Sequence, residues 1–537
     1  MSLILVAIVL LPALGALFAS VVGGARVGAA ARTGTLASGL AFLLAVVVMV
    51  DVGVGGSLSA VTPAGDGHIA VGLFANRITG VLLLLVCGVS CIVQAFARGY
   101  LHGDMRVRRF YALTGLLTAA TLATVSAATL VGLGVAWTLA GVSLCLLLDM
   151  YRGLPAARQG TRRTAIAFAI GDGALWAAIV VALVNWGDLD LRHLGEQART
   201  LSGNQALVGV FSCLVLVAAL ARSAQLPLQR WLPATLAAPT PVSALLHAGV
   251  INAGGILLVR LSGLFGTSHV ASTLAFCLGA ATVVYGTVLM LAKPDIKGAL
   301  AHSTIGQMGF MIMTCGLGAF AAAVFHLVAH GMYKASLFLG SGAAVHRHVR
   351  HTKAPPRPIA SQAEAAMTAL FAGAFAGAAV LSAAAVLHPH VGGRSGSGAL
   401  LVFAWATAAA ATWGILRRRL SFGVQAACLA GVFTATWAYE AWLRVFTRFL
   451  SVDLGTVAQN PAAPWLLALL VAVLALVAIT RLAGAGRRLR GVHDSLYVFA
   501  LTAGHVVRPR APRQRFRRGR AVVQWRALET GSEAAGS

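Results

Sequence analysis

Three basic side chains spaced four residues apart are the strongest chemical signal in the sequence. His326, His330 and Lys334 lie in an otherwise apolar stretch, and this spacing places all three on one face of a helix. Imidazole titrates near neutral pH, and an apolar environment makes an amine easier to deprotonate. The spacing therefore favours a relay for protons or ions; a structural ladder of hydrogen bonds is the alternative.

A polar, proline-bearing segment at residues 221–255 separates two long apolar runs. It reads ARSAQLPLQRWLPATLAAPTPVSALLHAGVINAGG. Proline removes backbone donors, and hydrocarbon cannot satisfy the freed backbone groups, so such a segment has to be buried in protein or line a wet cavity. We therefore expect a broken membrane helix, which is typical of an ion pathway.

Four further ionisable side chains lie in or beside apolar runs: Arg222, His247, Asp172 and Lys297. Arg222 stays charged, so it could hold water or a carboxylate but could not exchange a proton. His247 follows the PTP motif and could titrate, although simple packing is the alternative. Asp172 is costly in hydrocarbon unless it is paired or protonated, or lies close to the interface. Lys297 lies at an inner helix start beside Lys293.

The composition is that of a polytopic membrane protein. Hydrophobic residues make up 58% of the chain and charged residues 10%, against about 25% charged residues in soluble domains. We predict an all-α polytopic fold with about fifteen transmembrane helices, each from an apolar stretch close to the roughly 20 residues that a span needs. The stretches lie near residues 3–23, 34–50, 69–97, 110–127, 129–149, 164–185, 205–221, 237–261, 270–292, 298–315, 319–343, 363–387, 399–416, 421–442 and 463–481.

The basic residues fall almost entirely in alternate loops. The formal net charge of +26 could indicate nucleic acid, but alternation of Lys and Arg between loops is the pattern that orients a membrane protein. We predict a multi-pass protein of the inner (plasma) membrane that binds no nucleic acid, with its N-terminus outside and its C-terminus in the cytoplasm. The first apolar run lacks a basic leader and is predicted to be a retained span. The basic tail could lie on anionic membrane lipid or bind an acidic partner.

The sequence predicts neither a cofactor site nor a metal site. Its seven cysteines lie within apolar runs and have no metal-ligand spacing, so we expect them to be packing residues. It has no glycine-rich phosphate loop and no dinucleotide fingerprint. We therefore predict a transport subunit rather than an enzyme.

Several motifs resemble those of one family of membrane proteins. The antiporter-like subunits of respiratory complex I, above all its L subunit, have motifs similar to YLHGDMRVRRFY, AQLPLQRWLPATLAAPTPVSALLHA, DIKGALAHSTIGQMGFM and HLVAHGMYKASLFLGSG. The resemblance extends over roughly residues 100–342. Within that superfamily, the sequence HAGVINAGG resembles that of the DabB family, the membrane subunits of an inorganic carbon pump.

The resemblance implies a fold of two inverted five-helix repeats, each with a broken helix. It implies a path for protons or another monovalent cation that energises CO2 hydration by a soluble, zinc-containing, carbonic-anhydrase-like partner of the DabA kind, expected on the cytoplasmic face. The corresponding division of the chain is N-terminal helices at 1–97, repeats at 98–261 and 262–416, C-terminal helices at 417–481, and a cytoplasmic tail at 482–537.

The resemblance also implies which residues form the ion pathway. Arg222 stands where the family has the lysine of its broken helix, and His247 matches the histidine after PTPVSAL. His326, His330 and Lys334 match the family's HxxxHxxxK stripe.

The chain departs from the complex I pattern at three places. Thr138 replaces an acid, Ala169 replaces an arginine, and no lysine lies between Ala363 and His390. Glu440 is an acid in the later spans and is expected near an outer helix end. We favour a carbon-pump subunit; the alternatives are a complex I or cation-antiporter subunit and a non-conducting membrane anchor for a soluble enzyme.

Overall fold

The structure covers most of the chain up to residue 454. The computed structural model describes residues 2–22, 27–65, 68–201, 203–341, 362–387, 395–418 and 420–454, with the single positions 462, 465, 468 and 472. The predicted basic tail, and all but single positions of the predicted span at 463–481, lie outside the described residues.

Long helices with short connections make up the described chain. They are α1 (Ser2–Val21), α2 (Val27–Gly55), α3 (Arg77–Tyr100), α4 (Val107–Ser126), α5 (Leu130–Leu148), α6 (Pro155–Trp186), α7 (Leu194–Leu201), α8 (Gln205–Arg222), α9 (Thr240–Ala248), α10 (Ala253–Arg260), α11 (Ser262–Phe265), α12 (His269–Ala292), α13 (Ile296–Gly316), α14 (Phe320–Leu339), α15 (Gln362–Leu387), α16 (Ser395–Leu416) and α17 (Phe422–Leu454). Ten spans in this part of the chain are long and apolar enough to cross a membrane. The predicted helical, polytopic fold is confirmed.

A β-hairpin replaces the start of the third predicted span. Strands β1 (Leu58–Gly65) and β2 (His68–Ala75) pair antiparallel. The side chain of Asn76 then accepts a hydrogen bond from Thr79 N–H over 3.0 Å, which caps α3 and starts it at Arg77. The prediction of a span beginning at residue 69 was wrong, because apolar content alone does not distinguish a short strand from the first turns of a helix.

The hairpin ties together one end of the helix bundle. Ala128 N–H, between α4 and α5, donates to Gly72 O of β2 over 2.9 Å. Leu130 N–H donates to Leu189 O, beyond the end of α6, over 3.1 Å. These backbone bonds fix the relative positions of α5 and α6, which carry part of the site described below.

The broken helix lies where the polar segment predicts it, but its break is not at a proline. Pro241 lies in the first turn of α9, where the missing N–H has no intrahelical partner to lose. The interruption comes later, where a 3-10 turn at Val250–Asn252 separates α9 from α10. A side-chain bond from Asn252 Nδ2 to Ala248 O over 2.7 Å satisfies one of the freed carbonyls.

Glycines let α12 and α13 approach closely. A Cβ on Gly286 would lie 2.4 Å from the backbone nitrogen of Gly306, and small residues at such crossings are typical of membrane helices. Gly331 plays the same part in α14: a Cβ there would lie 2.9 Å from Ala248 O of α9. Four helices are thereby brought into direct contact in two pairs, α12 with α13 and α9 with α14.

Candidate ion pathway

A buried ion pair joins α6 to the end of α8. Arg222 Nη2 donates to Asp172 Oδ1 over 2.6 Å, and Trp137 Nε1 of α5 donates to the same oxygen over 2.8 Å. The Arg222 side chain is 2% exposed and the Asp172 side chain 17%. Of the possibilities left open by the sequence for Asp172, the structure shows the ion pair.

Aromatic rings enclose the guanidinium group of this pair. Arg222 Cζ lies 4.4 Å from the centroid of the Trp137 ring and 4.2 Å from that of Phe168. Contacts of this kind each contribute about 0.5–2 kcal/mol. A Cβ on Gly141 would lie 2.8 Å from Arg222 Nη1, so a larger residue at position 141 would displace the guanidinium group. The arginine is thus held in one position by a carboxylate and two rings.

Thr138, the residue after Trp137, is neutral and forms hydrogen bonds within α5 and to α6. Thr138 Oγ1 donates to Gly134 O over 3.0 Å and accepts from Trp176 Nε1 over 3.0 Å. The acid of this site therefore comes from α6, through Asp172, and not from α5 as the resemblance implies. An acid–base pair is retained although the family's acid is missing.

Beyond Arg222, two buried polar side chains, Ser223 and Gln225, extend towards α13. Ser223 Oγ donates to Ile251 O at the helix break over 2.7 Å. Gln225 Nε2 donates to Ser223 O over 2.7 Å and approaches Ile305 O of α13 at 3.5 Å. Both side chains are fully buried. A set of polar groups therefore runs from the ion pair to the middle of α13.

His247 is buried between α13 and α14. Its Nδ1 lies 3.1 Å from Thr304 Oγ1, and its ring stacks on Phe338 with centroids 4.3 Å apart. Because Thr304 already donates its hydroxyl hydrogen to Leu300 O over 3.0 Å, its oxygen accepts from Nδ1–H. We therefore place a proton on Nδ1, which leaves Nε2 as the nitrogen that can gain and lose a proton.

Lys334 lies fully buried against α13 and binds only neutral oxygens there. Its Nζ donates to Ser303 Oγ over 2.9 Å and to Leu300 O over 3.2 Å. No salt bridge involves it in the part of the chain that the structure describes. This lysine differs from Arg222 in having no carboxylate partner.

The two histidines of the stripe continue from Lys334 along α14. Their rings are 6.0 Å apart and nearly parallel. Neither ring nitrogen of His330 has a hydrogen-bond partner among the described residues. His326 bonds to the backbone of Gln307, and its ring meets that of Phe310 edge-on at 4.8 Å. His330 interacts electrostatically with His326, Lys334 and His247, so it lies at the centre of the group.

Lys297 lies in the first turn of α13. It is half-buried, and its charge interacts with His247. His302, one turn further along, is 1% exposed and bonds through Nδ1 to Gly298 O over 2.9 Å. All seven predicted pathway residues are therefore described, five of them around α13 and α14 and two, Arg222 and Asp172, in the separate ion pair.

The polar residues of α13 complete the site, and the sequence pattern does not single them out. Ser303 and Thr304 supply the partners of Lys334 and His247. Serine and threonine in membrane helices ordinarily bond to their own backbone, so nothing in the sequence distinguishes these two from their neighbours. Only the approach of α14 and α9 to α13 shows which hydroxyls matter.

Two family profiles match the region that contains this site. Residues 127–355 match the transmembrane region of the NADH:quinone oxidoreductase/Mrp antiporter family. Residues 61–111 match the N-terminus of chain 5 of NADH-ubiquinone oxidoreductase, complex I. Together these matches cover about half of the chain.

Curated relatives come from two kinds of membrane assembly. The probable inorganic carbon transporter subunit DabB1 of Halothiobacillus neapolitanus is 39% identical over 293 residues, covering 53% of this chain and 52% of that protein. NADH-quinone oxidoreductase subunit L of Mycobacterium tuberculosis is 36% identical over 287 residues, covering 53% of this chain and 45% of that protein. The matched region thus spans about half the length of these relatives.

Solved structures share the fold at low sequence identity. The Mrp complex from Dietzia matches with a TM-score of 0.59 and 23% identity, covering 94% of this chain and 59% of that chain. The archaeal membrane-bound sulfane sulfur reductase matches with a TM-score of 0.63 and 18% identity, covering 86% and 99%. With its two profile matches and its curated relatives, this chain belongs to the antiporter-like membrane subunits of the complex I and Mrp family.

Proposed function

We propose that this chain is the membrane subunit of an energy-coupled inorganic carbon pump. It conducts protons, or another monovalent cation, and thereby drives CO2 hydration by a DabA-like zinc partner on its cytoplasmic face. The similarity to DabB1 supports this assignment. The alternating basic loops support a cytoplasmic C-terminus, and the division into repeats at 98–261 and 262–416 is part of the same proposal.

The observation that carries the conduction proposal is the group around Lys334. A buried amine with neutral oxygen partners can gain and lose a proton without breaking an ion pair. His330 lies within electrostatic reach of this amine and of two further imidazoles. Ionisable groups in a membrane interior mark proton relays by default.

The side chains around Lys334 have different roles in the proposed movement of a proton. Lys334 holds it as an ammonium group that donates to Ser303 and Leu300. Transfer to a neutral imidazole of the group returns the lysine to its amine form, and the two nitrogens of His330 let that ring accept on one side and donate on the other. Lys297 sets the electrostatic potential at one end of the group through its charge.

Two alternatives rest on specific features. The similarity to subunit L favours a complex I or cation-antiporter subunit, which would conduct through the same residues. The fixed Arg222–Asp172 pair favours a non-conducting membrane anchor, because a permanently charged arginine bound to a carboxylate cannot relay a proton. The first alternative changes the partner and the second removes conduction.

Replacing Lys334 by alanine tests conduction. We expect Lys334→Ala to abolish uncoupler-sensitive carbon uptake in a host that lacks carbonic anhydrase, while the protein remains in the membrane, because alanine carries no proton. The matched control is Arg158→Ala, which removes an exposed cation at the start of α6 and should leave uptake unchanged. Full uptake by a well-expressed Lys334→Ala protein would exclude the relay and leave the anchor.

Co-purification identifies the partner. A DabA-like zinc protein that purifies with this chain, and whose carbon-accumulating activity collapses with an uncoupler, is the expected result, since coupling between the two sites is reciprocal. Co-purification with complex I subunits instead would establish the first alternative.

A further inference from the structure

A carboxylate lies deep within the long helix α17. Glu440 is 0% exposed, and α17 runs from Phe422 to Leu454. Asp453, which accepts a hydrogen bond from Arg77 N–H over 2.8 Å, marks the end of the helix. It lies thirteen residues beyond Glu440, or about 20 Å at the rise of an α-helix. The expectation that Glu440 lies near a helix end was wrong, because α17 continues through Arg444 and Arg448, which end the apolar run in the sequence.

Aromatic contacts place Glu440 at the depth of the stripe on α14. Phe325, the neighbour of His326, packs against Tyr439 and Phe446 with centroids 5.6 and 5.4 Å away. Tyr439 is adjacent to Glu440 in the chain, and Phe446 is less than two turns further along. Glu440 therefore lies between the two residues of α17 that contact Phe325.

The buried face of α17 also meets the stripe. Thr436, Glu440 and Leu443 are each at most 7% exposed, and their spacing puts them on one helix face. Leu443 shares a buried cluster with Phe310, whose ring contacts His326. The face that carries Glu440 is thus turned towards α13 and α14.

We propose that Glu440 is a proton-carrying carboxylate of the same pathway, at the level of His326 and His330. The inference rests on the proposed function. Each step moves one proton from an imidazolium of the stripe to the carboxylate, which leaves a neutral imidazole and a carboxylic acid; release reverses the transfer. A carboxyl group at this depth is costly unless it is used or paired. Glu440, on a C-terminal helix, supplies a titratable group beside the repeat at 262–416, which has no lysine between Ala363 and His390.

Chemical labelling tests the proposal without measuring transport. Dicyclohexylcarbodiimide partitions into membranes and adds to protonated carboxyl groups in apolar surroundings. Applied to the intact complex in membranes at neutral pH, it should modify Glu440, detected as a peptide mass shift. Glu196 of α7, whose side chain is 88% exposed, serves as the control and should stay unmodified. An unmodified Glu440 would overturn the proposal.

Matched variants separate this proposal from the proposed function. We expect Glu440→Gln, which preserves the shape of the side chain, to reduce uncoupler-sensitive uptake at least tenfold, with partial recovery in Glu440→Asp and no change in Glu196→Gln. The melting temperature of purified Glu440→Gln should match that of the parent, since a purely structural role would lower it. If Lys334→Ala loses uptake while Glu440→Gln keeps it, Glu440 is not in the pathway although the function stands. If both keep it, the proposed function itself fails.

Discussion

Two buried cations of this membrane protein have opposite surroundings. Arg222 is bound to a carboxylate oxygen at 2.6 Å and lies between two aromatic rings. Lys334 is bound to a hydroxyl and a carbonyl oxygen at 2.9 and 3.2 Å. Burial does not distinguish them, because their exposures are 2% and 0%. Their partners do: a carboxylate stabilises the charged form of its cation, whereas neutral oxygens do so far less.

The comparison assigns different tasks to the two sites. The Arg222–Asp172 pair connects α5, α6 and α8 through Trp137, Phe168 and the ion pair itself. It therefore stabilises the packing of these three helices and keeps its charge constant. The Lys334 group can change its charge, so the proposed conduction is assigned to α13 and α14. Substitutions that remove single groups from each site test this distinction.

The largest effect is expected from leaving Arg222 without its acid. Asp172→Asn keeps the shape of the side chain but leaves an uncompensated buried charge, and the loss of one partner from a buried pair costs about 3–5 kcal/mol. We expect a large fall in the melting temperature of the purified protein, or failure to accumulate. The double variant Asp172→Asn/Arg222→Met removes both charges and should recover most of the stability. No recovery in the double variant would show that the pair does more than balance charge.

An exchange of cation type sharpens the comparison at both sites. Lys334→Arg keeps a positive charge but cannot release a proton at working pH, so uncoupler-sensitive uptake should fall at least tenfold in a stable protein. Arg222→Lys places an amine beside Asp172, where the carboxylate keeps it charged. This variant should retain uptake within about twofold of the parent, a change far smaller than the tenfold loss expected for Lys334→Arg. Both are measured as uptake per unit of membrane protein. Equal losses in the two variants would erase the distinction between the sites.

Much of the fold could be predicted because hydropathy is a local property of the sequence. The spans follow from runs of apolar residues, and the broken helix follows from a polar segment between two of them. The hairpin at Leu58–Ala75 was not predicted, since the apolar residues of its second strand run on into those of α3 in the sequence. The end of α17 was misplaced because Arg444 and Arg448 interrupt the apolar run, although the helix continues past them to Leu454.

The site was only partly predictable, because spacing fixes a helix face but not what that face meets. The stripe of His326, His330 and Lys334 follows from its four-residue spacing. The bond from Lys334 to Ser303 and the pairing of Arg222 with Asp172 are contacts between helices. Such contacts depend on close packing, which glycines such as Gly331 permit and which no local pattern encodes.

A partly exposed ion pair, Arg192 with Asp190, is expected to contribute less than the buried pair. Arg192 Nη2 lies 2.7 Å from Asp190 Oδ2 in the connection after α6, with side chains 23% and 21% exposed. Partly exposed pairs contribute about 0–1 kcal/mol, so Asp190→Asn should lower stability by at most about 1 kcal/mol at neutral pH. If it costs as much as Asp172→Asn, burial is not what distinguishes the two pairs.

The smallest expected effect is the pH dependence of the stability that the Arg192–Asp190 pair contributes. Burial would raise the pKa of Asp190, but hydrogen bonds from Arg192 and its charge outweigh this and hold the pKa below the ordinary value of 3.8. The stability that the carboxylate contributes is therefore fully present above that value and is lost as the pH falls through the lower pKa of the folded state. The melting temperatures of the parent and Asp190→Asn should differ slightly at pH 6 and converge as the pH falls below about 4. A difference that stays constant over that range would mean that the asparagine disturbs the backbone pairing of residue 190 with Thr129 and that the carboxylate charge contributes nothing.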